Sequence, residues 1–159
     1  MELDRQPTEM GNMTTNEQRV IEILVVEDNP GDVELIRRTF AAMDIPNHVA
    51  VVSDGREALE YLQKVITEGR QPLPNLVLLD LNLPKLDGRE VLEAIKGNPD
   101  LRHIPIAVFT SSQSEKDIAN AHQAGANCYI VKSIDLNEFQ ESLWQLVKSW
   151  NAIWSVRPS

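Results

Sequence analysis

The stretch "LVLLDLNLPKLDG", residues 76–88, decides the fold. Leu76, Val77, Leu78 and Leu79 form an unbroken apolar run between Pro74 and Pro84. A run this short and this apolar predicts a strand covered on both faces, as in a parallel sheet. The run ends at Asp80. A carboxylate in mid-strand would be costly to bury, whereas the C-terminal edge of an open α/β sheet is where such sheets expose their chemistry.

The flanking sequence repeats the same unit. "VIEILVV" (20–26) predicts a first strand that runs into Glu27 and Asp28, and "NPGDVELIRRTFAAM" follows with Pro30 in a first helical turn and Val33, Ile36 and Phe40 on one face. "HVAVVS" (48–53) predicts a second strand, and 54–69 a helix with Ala58, Leu59, Leu62, Val65 and Ile66 at helical spacing and Gly69 as its stop. After the third strand come a helix at 88–97, a strand at 103–110, a weakly amphipathic helix at 114–125, a strand at 127–132 and a long helix at 135–154. Five strands alternating with five helices predict a doubly wound α/β fold, with a parallel sheet and right-handed crossovers.

Composition narrows the function. The chain has 159 residues, enough for one domain with an ample core, and 24 acidic against 15 basic residues give a formal charge of −9. That balance argues against nucleic acid as a partner, because phosphate backbones need clustered Lys and Arg. Cys128 is the single cysteine, so no internal disulfide forms and a reducing, cytoplasmic setting is expected. No apolar run approaches the ~18 residues of a membrane span. Residues 1–18 are polar and are expected to be a flexible lead-in.

In a parallel sheet the strand ends share one edge. Glu27 and Asp28 would stand there after strand one, Asp80 after strand three, Thr110 after strand four and Lys132 after strand five. Two carboxylates ~4 Å apart repel by about 4 kcal/mol at an effective dielectric near 20. Three therefore call for protons or a cation, and carboxylate oxygens with waters suit Mg²⁺. Taken singly, each residue has a plainer explanation: a helix cap for Thr110, packing for Tyr129, a solvated charge for Lys132. Their joint spacing sets them apart.

The phrases "VVEDN", "LLDLNLPKLDG", "FTSS" and "YIVKS" resemble the receiver domain of two-component response regulators, over about residues 20–150. "IKGNPDLRHIP", "ANCYIVKS" and the Trp-rich end resemble more particularly the single-domain regulators paired with bacterial phytochrome-type kinases. The resemblance implies a flavodoxin-like (βα)5 domain over 19–150, strand order 2-1-3-4-5, followed by an extension at 151–159. It implies that Asp80 takes a phosphoryl group from a sensor histidine kinase. It further implies that Asp28 binds Mg²⁺ directly, Glu27 through water and Asn82 through its backbone carbonyl, alongside Asp80. Lys132 and Thr110 would hold the phosphoryl oxygens, and Tyr129 would turn inward as a switch. One departure stands out: Ser133 follows Lys132 where receivers usually carry Pro, so the loop after strand five differs from the pattern.

Two other functions compete with this one. A Mg²⁺-dependent aspartyl phosphohydrolase would need a second acid two residues after its nucleophile, and Asn82 cannot do general acid–base work. A phosphorylation-independent interaction module would leave five competent site residues unused. A dinucleotide-binding domain fails sooner, since "EDNPGD" is acidic where a glycine fingerprint is required. In "SLWQLVKSWNAIW", Leu143, Leu146, Val147, Trp150 and Trp154 recur on one helical face. Leu143 and Val147 are expected to pack on the sheet and Trp144 to point off the stripe. Trp150 and Trp154 are expected to anchor a homodimer, because large exposed aromatics favour interfaces.

Overall fold

The computed structural model describes residues 20–132 and 135–156, with side chains described as far as Ser149. Strands β1 (Ile21–Val26), β2 (Asn47–Val52), β3 (Leu76–Leu79), β4 (Ile106–Thr110) and β5 (Cys128–Val131) alternate with helices. These are α1 (Pro30–Ala41), α2 (Gly55–Glu68), α3 (Gly88–Lys96), α4 (Glu115–Gln123) and α5 (Leu136–Val156). All four strand pairings are parallel, in the order β2-β1-β3-β4-β5. The expected fold and strand order are the observed ones.

Helix boundaries follow local chemistry. Asn29 caps α1 by accepting from the Asp32 amide, and Pro30 opens the helix. Asp87 and Glu90 close a capping box on α3. Gly69 ends α2 in the left-handed conformation at φ 65°, as its position predicted. Strand β4 is shorter than expected: it begins at Ile106, because residues 101–104 are tied in a turn by the Ile104 N–H donating to the Leu101 carbonyl.

Side-chain alternation divides the core into two layers. Leu24, Val26, Val77, Leu79, Ile106 and Val108 point to one face, under α2, α3 and α4. Ile23, Val25, Leu76, Leu78 and Phe109 point to the other, under α1 and α5. There Phe109 stacks on Phe139 with centroids 4.7 Å apart, and Leu143 and Val147 are buried as expected. Trp144 lies half-buried against this second layer, with the Lys148 ammonium 5.6 Å above its ring. It is thus less of an outlier than its position suggested. Among the described residues no helix is long and apolar enough to cross a membrane.

Two glycines stand where no side chain fits: Gly55 and Gly88, which open α2 and α3. A Cβ on Gly55 would strike the Leu86 carbonyl oxygen and stand 2.6 Å from Val91 Cγ2. One on Gly88 would strike the Asp80 carbonyl oxygen and stand 2.6 Å from Leu81 Cα. The loop after β3 is therefore held between two helix starts. Gly88→Ala is expected to cost on the order of 1–3 kcal/mol, the usual scale of overpacking, with backbone shift as its only relief. Urea unfolding would measure it, and an unchanged midpoint would contradict the tight fit.

Candidate functional site

The sheet's ladder brings the polar strand ends together. The Asp80 N–H donates to the Val26 carbonyl at 3.1 Å, which sets the end of β3 beside the end of β1. The Lys132 N–H donates to the Thr110 carbonyl at 2.7 Å, which sets the residue after β5 beside the end of β4. Glu27, Asp28, Asp80, Thr110 and Lys132, all selected from sequence, thus share one edge.

Their side chains meet around the Lys132 ammonium. Its Nζ lies 2.7 Å from Glu27 Oε1, 2.8 Å from Asp32 Oδ2 and 3.0 Å from Asp80 Oδ2. Glu27 is 1 % exposed, and its Oε2 accepts from the Asn29 N–H at 3.0 Å. Glu27 Oε1 has the distance of an ion pair with Lys132 but not the angles of a hydrogen bond, and is otherwise unpartnered. Thr110 is fully buried, and Asn82 Nδ2 donates to its Oγ1 at a long 3.4 Å. The Asn82 N–H donates to Asp80 Oδ1 at 3.1 Å, so both Asp80 oxygens are engaged. Asn82 and Asp28 face solvent.

Burial is the main force on Glu27: it pushes the carboxyl up to about 7, with the Asp80 charge adding to the rise while Lys132 and the Asn29 amide oppose it. Burial alone would lower the Lys132 ammonium's pKa, but its close contacts with the Asp32, Glu27 and Asp80 carboxylates outweigh it and hold the group above its ordinary value. The pocket therefore keeps its cation charged and carries surplus negative charge.

That surplus fits a further cation. Glu27, Asp28 and Asp80 each offer a carboxylate oxygen within 4.8 Å of the others. An all-oxygen donor set, with one buried oxygen lacking hydrogen-bond partners, suits a hard divalent ion. The cluster opens on one side to solvent at Asp28, where waters can complete the shell.

On the neighbouring side of the edge, the Tyr129 hydroxyl donates to the Ser112 carbonyl at 3.0 Å. Ser112 Oγ in turn donates to Asp117 Oδ2 at 2.6 Å, fastening the loop after β4 to the first turn of α4. His48, His103 and His122 stand apart from the site and from one another; His48 instead pairs with Glu22 across β1 and β2 at 2.9 Å. The side chains of Trp150 and Trp154, and the Lys132–Ser133 peptide, lie outside the described residues.

Sequence reasoning missed one member of the cluster. Asp32 reaches Lys132 from the first turn of α1. The signal was present in "EDNPGD", where Asn29 caps a helix that opens with Pro30, so that Asp32 falls in the turn above Glu27.

Known proteins with this arrangement are numerous. Residues 23–143 match the family model of the response regulator receiver domain. Response regulator Rcp1 of Synechocystis sp. is 40% identical over 132 residues, spanning 83% of this chain and 87% of that protein. The Mn²⁺-bound form of Rcp1 superposes with a TM-score of 0.75 at 39% identity, over 82% of this chain and 94% of that one. The phosphorylated cyanobacterial phytochrome response regulator RcpA gives 0.74 at 40% identity, over 89% and 98%. The receiver domain of sensor histidine kinase PA1611 from Pseudomonas aeruginosa, with magnesium in its active-site cleft, gives 0.68 at 28% identity, over 84% and 99%. With a family match running from the first strand into the last helix, this chain belongs to the response regulator receiver family, whose members are phosphoacceptors and not classical enzymes.

Proposed function

We propose that Asp80 receives the phosphoryl group, and that the donor is the phosphohistidine of a phytochrome-type sensor histidine kinase. The observation that carries the first part is the Asp80 carboxylate at a strand end, held 3.0 Å from a half-buried ammonium within an acidic cluster. Likeness to Rcp1 and to the phytochrome regulator RcpA supports the second.

In this reading an Asp80 carboxylate oxygen attacks phosphorus. The P–N bond to the donor imidazole breaks, its electron pair stays on the imidazole, and an acyl phosphate forms. Such transfer is chiefly positioning and charge neutralisation. Lys132 supplies a compact ammonium to one phosphoryl oxygen, and the Thr110 hydroxyl donates to another. Asp28 and Asp80 would hold Mg²⁺ directly, Glu27 through water, and Asn82 through its backbone carbonyl. The ion supplies charge neutralisation at the phosphoryl oxygens. Asn82, lacking a titratable proton, cannot do the acid–base work that a phosphohydrolase assigns to this position, so the phosphoprotein should persist long enough to signal. Tyr129 is the switch: its hydroxyl already holds the Ser112 carbonyl, so a shift of Thr110 toward a phosphoryl group moves ring and loop as one unit.

Chelation tests the metal's part. Acetyl phosphate with Mg²⁺ should add one phosphoryl mass to the intact chain, and excess chelator should abolish the gain, because uncompensated carboxylates repel an anionic donor. Labelling indifferent to chelator would exclude the ion from this role. A kinase without a photosensory domain that alone transfers its phosphoryl group specifically to this chain would contradict the phytochrome assignment.

Output passes through protein contact, since a net charge of −9 repels a polyanion. The chain pairs as a homodimer through the end of α5 and residues 151–159, with Trp150 and Trp154 as anchors. The apolar stripe of α5 supports this: Leu143 and Val147 are spent on the core, and the aromatic positions lie further along the helix. Sedimentation of the intact chain should show a dimer at micromolar concentration, and a chain ending at Lys148 should run as a monomer. Equal behaviour of the two would remove the extension from the interface.

A further inference from the structure

We infer that Asp32 is the resting partner of the Lys132 ammonium, and that it slows phosphoryl uptake by holding that ammonium and by adding charge to the pocket. The inference rests on Asp80 as phosphoacceptor.

Lys132 forms ion pairs with three carboxylates at once, and only two of them belong to the acidic cluster that could take a metal. Glu27 and Asp80 are buried at the strand ends, whereas the Asp32 side chain is 29 % exposed. Asp32 therefore has the least to lose when the ammonium leaves, because water can replace it. Its backbone also stays put without Lys132: the Asp32 N–H donates to Asn29 Oδ1 at 2.9 Å, and the carboxylate sits in the first turn of α1, where the helix dipole favours it. Asp32 is thus a fixed, partly hydrated counter-charge that can give up its partner.

Phosphorylation makes the exchange necessary. Asp80 loses its own negative charge on forming the acyl phosphate, but the phosphoryl group brings two, so the pocket becomes more negative by one. The ion pair with Asp32 is the contact that the ammonium can give up to the incoming oxygen without orphaning a buried carboxylate. No bond at Asp32 or Lys132 is made or broken covalently. Asp32 is a positioning residue acting through Lys132, and its charge opposes the arrival of an anionic donor.

Removing that charge has opposite effects on the two ligands. Asp32→Asn should weaken Mg²⁺ binding by about two- to fivefold, and at saturating Mg²⁺ should speed uptake from acetyl phosphate by about the same factor, the scale of one partly screened ion pair. A residue needed only to support the pocket would weaken both. Intact-mass time courses and Mg²⁺ calorimetry on the full-length chain give the two numbers. Asp32→Ser, a second neutral residue suited to a first helical turn, should reproduce the split, and Asp32→Glu should restore both values toward wild type.

Uptake unchanged or slower in both neutral variants at saturating Mg²⁺ would overturn the inference, as would a Glu variant that behaves like them. If the wild-type chain itself takes no phosphoryl group, it is Asp80's role that fails. The Mg²⁺ titration then still decides whether Asp32's charge acts on the pocket, and equal affinities in wild type and Asp32→Asn would overturn that.

Discussion

Asp80→Asn is expected to take up no phosphoryl group from acetyl phosphate and Mg²⁺ under conditions that convert most of the wild-type chain. The amide has nearly the shape of the carboxylate but lacks its nucleophilic oxygen charge. It should fold normally: the Asp80 N–H still donates to the Val26 carbonyl, and an amide oxygen can still accept from Lys132. The variant also relieves part of the crowding among Glu27, Asp28 and Asp80, so its stability should equal or exceed wild type. Intact-mass spectrometry reads the uptake and thermal melting reads the fold. A full adduct on the Asn variant would move the acceptor to another residue.

Lys132→Ala carries the second large effect. Loss of a charge-stabilising donor from a preorganised site typically slows the chemical step by about 10²–10³-fold, and uptake at saturating Mg²⁺ should fall on that scale. Stability should fall too, because Glu27, Asp32 and Asp80 lose their common counter-charge. The loss should be about 1–3 kcal/mol, less than the full cost of orphaning a buried charge, since Glu27 can take up a proton. The sign with pH is definite. The folded ammonium's pKa lies above its ordinary value, so its contribution is fully present below the unfolded value and fades only as pH rises through the folded one. Deprotonation of Lys132 itself therefore takes nothing from the wild type's advantage at neutral pH. Protonation of Glu27, held up to about 7, should trim that advantage as pH falls from 8 to 6. Urea titrations of both proteins at pH 6 and 8 measure it, and a variant as stable as wild type would show that the three carboxylates do not depend on Lys132.

The fold was legible because the central strands announce themselves by burial. "LVLL" and the "IAVF" of β4 are apolar throughout since β3 and β4 are covered on both faces, and the polar residues that follow, Asp80 and Thr110, mark the edge where the site forms. The start of β4 was less legible, because Ile104 is as apolar as a strand residue while spending its backbone on a turn. Site membership was most legible where a residue sits at or just after a strand end. The position of a strand end is set by the ladder, which sequence order predicts. Asp32 escaped because it reaches Lys132 through the rotation of α1 about its Asn29 cap, a placement that depends on how Ile36 and Phe40 pack beneath the helix. The bracing of the loop after Asp80 escaped for a similar reason: the close approach of Gly55 to Leu86 joins residues 31 positions apart in sequence.

The acyl phosphate itself can be located chemically. Borohydride reduces an aspartyl phosphate to homoserine, which marks the acceptor permanently before proteolysis and sequencing of the peptides by mass spectrometry. After treatment of the wild-type chain with acetyl phosphate and Mg²⁺, homoserine is expected at position 80 and nowhere else. Homoserine in place of Asp28 or Asp32, or a phosphorylated chain with no reducible acyl phosphate at all, would contradict Asp80 as the phosphoacceptor.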